Sequence, residues 1–293
     1  MLVLRPLHDH FAAELRSVDL SKSLDAAQLS EVQRAWSRYA VLVIRGQTVS
    51  DEQHLAFAKR FGTLEAFPLA AAGRAGEPEL LRVSNVRTDG SLLGPTGAAV
   101  KYRSMVEVWH KDSPYNAVPS FGTVLRGVQI PAAGTETHFV DLRLAFERLP
   151  RSEQERLARL VALHSYEHAL RERGIASGAS PAPIAAVHPL VAWHDDSRRS
   201  LFLSPLHMQQ IEGMEADAGA ALIAELVQWS TAPALTYRHV WQENDIVFWD
   251  NRTTMHRAMP CPDQSAPRTM HRTVISGEGY VERLFVPRET LRA

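Results

Sequence analysis

The sequence predicts a mainly β chain with peripheral helices, its core a barrel or double-sheet jelly roll. Three observations lead there. Apolar, β-branched runs of about four to eight residues recur through the second half of the chain, bounded by turn residues. Stretches with helical spacing are few. No Gly-rich phosphate loop, nucleophile-elbow serine or His-Glu-x-x-His helix points to another class.

Taken in order, the first helix begins at Asp25, which pairs with Gln28 as a capping box and precedes Leu29, Val32, Ala35, Trp36 and Tyr39. Residues 39–44 read as a buried strand. Ser50 and Gln53 repeat the capping pattern, Phe57, Ala58 and Phe61 supply an apolar face, and Gly62 ends the helix. From 66 to 108, Gly, Ala, Pro and Ser dominate, with one strand at 80–83. So long an irregular stretch is expected to be a lid or binding loop. Further strands are predicted at 123–130, 135–140, 187–193, 201–204, 235–240, 245–249 and 269–275, and helices near 153–163 and 218–229. No linker or repeat interrupts the pattern, so 1–293 is expected to form a single domain.

Composition excludes several function classes. Among 293 residues, 32 Lys and Arg face 33 Asp and Glu, a net charge of −1. Such a balance offers no overall field for nucleic acid or anionic lipid. The single Cys261 excludes an internal disulfide and a multi-cysteine zinc site. The first thirty residues lack an apolar leader, and no run is long enough to span a membrane. The expectation is a cytoplasmic protein, a homo-oligomer, with neither nucleic-acid nor membrane partners.

Thirteen histidines stand out. His-x-Asp occurs twice, in His110-Lys111-Asp112 and His194-Asp195-Asp196. The second lies in a charged turn and is expected to be a solvated hairpin. His110 and Asp112 follow Val106, Val108 and Trp109. Two apart on an extended chain, their side chains leave one face about 7 Å apart and can converge on one ion. Imidazole with carboxylate suits Fe(II) or Mn(II) better than a thiolate-rich zinc site does. Taken alone, the triplet reads as a surface ion pair near Lys111.

The C-terminal segment changes that reading. The strand at 245–249 leads to His256, and Arg268 and Arg272 follow with even spacing, which on a strand gives one shared face about 13 Å apart. Inward arginines are costly unless they meet anions, and guanidinium takes a carboxylate through paired bonds. Together these compose a 2-His-1-carboxylate iron site with a 2-oxo acid cosubstrate. His164 and His168 lack a third ligand, His188 before Pro189 is expected to close a strand edge, and Cys261 to be inert. Trp109 and Trp249 read as core aromatics.

In these residues the chain resembles the Fe(II)/2-oxoglutarate-dependent dioxygenases of the taurine dioxygenase and TfdA (2,4-dichlorophenoxyacetate dioxygenase) family. The likeness runs from Val41-Leu42-Val43-Ile44-Arg45-Gly46-Gln47 and Phe57-Ala58-Lys59-Arg60-Phe61-Gly62 through Trp109-His110-Lys111-Asp112 and Gly134-Thr135-Glu136-Thr137. It continues in Trp249-Asp250-Asn251-Arg252, His256-Arg257, Arg268, Met270 and Arg272. The resemblance implies a double-stranded β-helix with outer helices, and Fe(II) held by His110, Asp112 and His256. It also implies that Thr137 and Arg268 take the distal carboxylate of 2-oxoglutarate, that Arg272 holds the substrate's anionic group, and that O2 is the oxidant. Where taurine-specific relatives place a His, a Tyr and an Asn, this chain has Phe67, Ala70 and Val106, which disfavours taurine. Ser84-Asn85-Val86 with Asp89-Gly90 resembles the branch that handles aryloxyalkanoates. Phe67 and Leu69 would then face a hydrophobic body, with Val106 and Asn85 in the same pocket. The reaction so implied hydroxylates a small anionic organic substrate, with C–O cleavage beside an ether oxygen, and yields succinate and CO2. Alkyl sulfonates or sulfates fit the same outline. A zinc or manganese hydrolase on the same ligands and a cupin-like sensor without turnover are the other classes.

Overall fold

The computed structural model describes residues 2–67, 78–94, 98–132, 135–176, 184–194, 196–261, 263 and 265–279. At the start, β1 (Val3–Pro6) and β2 (Ala13–Arg16) form an antiparallel pair, and β2 runs parallel to β3 (Val41–Ile44). Between them, α1 (Ala26–Tyr39) starts at the predicted capping box. Asp25 accepts from the Gln28 backbone N–H at 2.8 Å, and the Gln28 side chain accepts from that of Asp25 at 3.0 Å. The second box, Ser50 with Gln53, opens α2 (Asp51–Lys59). There follow β4 (Leu81–Ser84), α3 (Ala98–Met105), β5 (Gly122–Gln129), β6 (Glu136–Asp141), α4 (Leu142–Glu147), α5 (Arg151–Leu157) and β7 (Val161–Ser165). After α6 (Tyr166–Glu172) come β8 (Ala185–Pro189), β9 (Val191–Trp193), β10 (Arg199–Leu201), β11 (Met208–Ile211) and α7 (Ala216–Ser230). The last strands are β12 (Thr236–Val240), β13 (Ile246–Asp250), β14 (Thr254–Ala258) and β15 (Thr269–Ile275).

Strands predominate, fifteen against seven α-helices among the described residues. A seven-stranded sheet runs β1-β2-β3-β13-β5-β15-β4, and a three-stranded sheet runs β12-β6-β14. Alternation along the strands divides the larger sheet between two apolar layers. Leu42, Ile44, Val124, Ile246 and Phe248 pack with Trp36, Phe57 and Phe61 of the first two helical segments. Val41, Val43, Leu125, Val247, Trp249 and Met270 pack with Phe139, Tyr237 and Trp241 from the smaller sheet's side. Trp36 stacks on Phe248 with centroids 3.9 Å apart. That closeness explains Gly122, where a Cβ would lie 2.6 Å from the Trp36 ring and 2.9 Å from the Trp249 carbonyl oxygen.

Three sequence expectations are corrected. The helix expected at 153–163 ends at Leu157, and residues 161–165 form β7 between β8 and β11. Leu157, Leu160 and Leu163 keep helical spacing, but pairing on both edges outweighs it. The strand expected at 187–193 divides at Leu190, whose N–H bonds the Leu160 carbonyl at 2.8 Å, so β8 and β9 join different sheets. The strand expected at 201–204 lies at Arg199–Leu201. Among the described residues, no helix is long and apolar enough to cross a membrane.

Candidate active site

His110 belongs to no long strand. It meets His256 in an isolated antiparallel bridge, each backbone N–H donating to the other residue's carbonyl at 2.9 Å. The other edge of β14 pairs with β6, which seats His256 between the rings of Trp249 and Phe139 at 4.7 and 5.9 Å. Ligand atoms of His110, Asp112 and His256 all lie within 4.8 Å of one another, and all three residues are buried. This is the one such group among the described residues.

Its donors fit a divalent ion. His110 Nδ1 donates to the Val108 carbonyl at 2.7 Å, which leaves the Nε2 lone pair for a metal. His256 Nε2 lies 3.9 Å from Asp112 Oδ2. Burial lowers both imidazoles below the ordinary histidine range, so both are neutral ligands at neutral pH. Burial opposes ionisation of Asp112, but Arg272, His256, His110 and the Thr123 hydroxyl together hold its carboxyl well below the usual range.

A network missed by sequence reasoning orients that carboxylate. Thr123 Oγ1 donates to Asp112 Oδ2 at 2.6 Å, and Ser120 Oγ donates to the Asp112 carbonyl at 2.7 Å. Asn251 Nδ2 donates to both hydroxyls at 2.8 and 2.9 Å, while its Oδ1 accepts from Trp249 Nε1 at 2.9 Å. Asn251 stood inside a recognised motif, but spacing alone cannot say what it touches. Lys111, read from sequence as the neighbour of a surface pair, is 1% exposed.

The two arginines stand in different settings. Arg268 precedes β15, whereas Arg272 lies within it; the register shift beside Thr269 and Met270 skips a residue of β5 and leaves β15 continuous, in regular pairing with β4. Arg272 Nη1 donates to Asp112 Oδ1 at 2.9 Å, its guanidinium lies 5.4 Å from the Phe67 ring centre, and its Nε is buried without a partner. Arg268 lines a cavity of about 180 Å³ with Asn85, Val106 and Ala258. Thr137 pairs with Ala258 across the sheet, and its hydroxyl accepts from Trp241 Nε1 at 2.9 Å. Asn85 ties its amide to the chain before β15, donating to the Ala266 carbonyl at 2.9 Å and accepting from the Arg268 N–H at 2.7 Å. Leu69, Ala70, Gly134 and Asp195 lie outside the described residues.

Other polar groups near the centre were not read from sequence. Glu65 accepts from Ser113 Oγ at 2.7 Å, and burial pushes its carboxyl up to about 7. The His207 ring lies 6.5 Å from that of His110 and 5.1 Å from Tyr115. His194 corrects an expectation: the hairpin exists, but the ring is buried, its Nε2 2.8 Å from Ser200 Oγ. It takes no part in the metal-ligating group. His188 sits on β8 with its Nε2 3.0 Å from the Asn116 carbonyl.

A buried His-Asp-His face on this β framework defines a class: the 2-oxoglutarate-dependent dioxygenases, oxidoreductases that use Fe(II), 2-oxoglutarate and O2. The chain belongs to the family described as taurine catabolism dioxygenase TauD, TfdA family, whose model matches residues 4–274. It is 33% identical over 289 residues to the alpha-ketoglutarate-dependent 2,4-dichlorophenoxyacetate dioxygenase of Cupriavidus pinatubonensis, covering 96% of this chain and 99% of that one. The (S)-phenoxypropionate/alpha-ketoglutarate-dioxygenase of Sphingobium herbicidovorans is 33% identical, with 93% and 94% covered. Among solved structures, AAD-2 in complex with Mn(II) and N-oxalylglycine superposes with a TM-score of 0.85 at 32% identity, covering 95% of this chain and 98% of AAD-2.

Proposed function

We propose that this dioxygenase acts on a small organic acid of the aryloxyalkanoate type, and that the seven-stranded sheet and the β12-β6-β14 sheet form the halves of a double-stranded β-helix in one domain. One observation carries the substrate reading: the Arg272 Nε is buried with no partner, beside the aromatic ring of Phe67. An unpaired guanidinium N–H is relieved by an anionic group, and the ring offers the substrate's body an apolar wall. Family membership favours this over the hydrolase and sensor readings.

In this reading His110, Asp112 and His256 hold Fe(II), and Arg268 with Thr137 takes the distal carboxylate of 2-oxoglutarate. With 2-oxoglutarate and O2, the bound iron supplies an oxidant able to take hydrogen from carbon. The protein's share is placement. Thr123, Ser120 and Asn251 keep Asp112 aimed, Asn85 fixes the backbone at Arg268, and Arg272 and Phe67 orient the substrate. The lid expected at 66–108 falls in part on residues 68–77 and 95–97, which lie outside the described residues, while 81–84 and 98–105 form β4 and α3. Hydroxylation beside an ether oxygen gives a hemiacetal that collapses with C–O cleavage.

Succinate release with Fe(II), ascorbate and 2-oxoglutarate, measured across phenoxyacetate, 2-phenoxypropionate, an alkyl sulfate and taurine, tests the proposal. The phenoxy acids should give the highest turnover, with phenol released. A neutral best substrate, or taurine ahead of the phenoxy acids, would refute it.

A further inference from the structure

Lys111 sits between two ligands and points away from both. Its ammonium donates to the carbonyls of Asn251, Arg252 and Thr254 at 2.9, 3.2 and 3.0 Å, and lies 5.0 Å from the centre of the Phe202 ring. An ammonium has three donors, and all three are used. Its backbone N–H donates to Ser204 Oγ at 3.0 Å, which anchors the other end of the residue. The three carbonyls belong to the turn between β13 and β14 and to the first residue of β14, two positions before His256. Downstream, the bridge between His110 and His256 and the bond from the Ala258 N–H to the Val106 carbonyl fix the strand. Upstream, Lys111 fixes the turn.

We propose that Lys111 is a positioning residue, which ties the turn that delivers His256 to the segment that carries His110 and Asp112. A surface lysine would not be buried among carbonyls, and an apolar residue of equal length could not replace its bonds. The inference rests on the metal-site reading above.

Equilibrium Mn(II) binding, followed by electron paramagnetic resonance without cosubstrate, tests it on wild type, Lys111→Met and Lys111→Arg. Loss of a group that orients a ligand typically weakens metal affinity 10–100-fold. Lys111→Met should show that loss, and Lys111→Arg, which keeps charge and donors, should recover part of it. A change under threefold in Lys111→Met overturns the inference. Thermal unfolding of each variant with and without Mn(II) covers the case of a weakened fold. A metal-induced rise smaller than in wild type supports the tie. An equal rise overturns it, as does a chain unfolded at every Mn(II) concentration, because Lys111 would then build the core and nothing more. Wild type that takes up no Mn(II) overturns the metal site and this inference together.

Discussion

Arg268 and Arg272 look equivalent in the sequence, yet they have different neighbours. Arg268 faces a cavity beside Asn85 and Val106, whereas Arg272 holds Asp112 directly. Arg268→Ala should raise the 2-oxoglutarate requirement by roughly one and a half to three and a half orders of magnitude, about 2–5 kcal/mol for a partly desolvated carboxylate contact. It should leave Mn(II) affinity unchanged. Arg272→Ala should weaken the primary substrate and also loosen Mn(II), because a metal ligand loses its brace. Cosubstrate titrations and Mn(II) binding on both variants check this, and equal loss of metal by the two would contradict it. The His-Asp-His group was legible because its residue types announce their chemistry. Lys111, Thr123 and Asn251 were not, since a lysine, a threonine and an asparagine acquire these tasks only through what folding brings beside them.

Legibility of the elements followed the range of the forces that form them. Both capping boxes are local, closing within four residues, and both stand where the sequence places them. β15 likewise matches its predicted span, as a continuous run buried at both ends. β7 was misread because Leu163 continues the helical spacing of Leu157 and Leu160, and β14, which carries His256, was not read at all because its pairing with β6 is its main support. Close packing of α1 on the large sheet gives a sharp expectation. Gly122→Ala must push aside Trp36, which is wedged against Phe248, Phe121 and Phe61. Overpacking of this kind costs about 1–3 kcal/mol. The urea midpoint should fall without a change in slope, and a midpoint equal to wild type would show that the ring has room to move.

The whole molecule buries histidines outside the His-Asp-His group, and this fixes its response to acid. Burial pushes His54 and His194 down to about 3 from an ordinary 6.5. The unfolded chain therefore binds more protons than the folded one between those values, so stability is complete above about 6.5 and falls as pH drops toward 3. Each ring contributes up to about 1.4 kcal/mol per pH unit across that window. Urea midpoints at several pH values should trace the loss, and His194→Gln, which keeps a donor for Ser200, should make it shallower. An unchanged acid slope in that variant would assign the effect elsewhere. The backbones of His110 and His256 clasp each other whatever lies between their rings. Two of the three donors are thus held side by side by main-chain bonds of the fold itself. Because divalent first-row ions follow one order of intrinsic affinity for such nitrogen and oxygen donors, choice among them rests on geometry, ligand type and supply. The iron dependence of the reaction is in that sense shared between this chain and the metal economy of the cell around it.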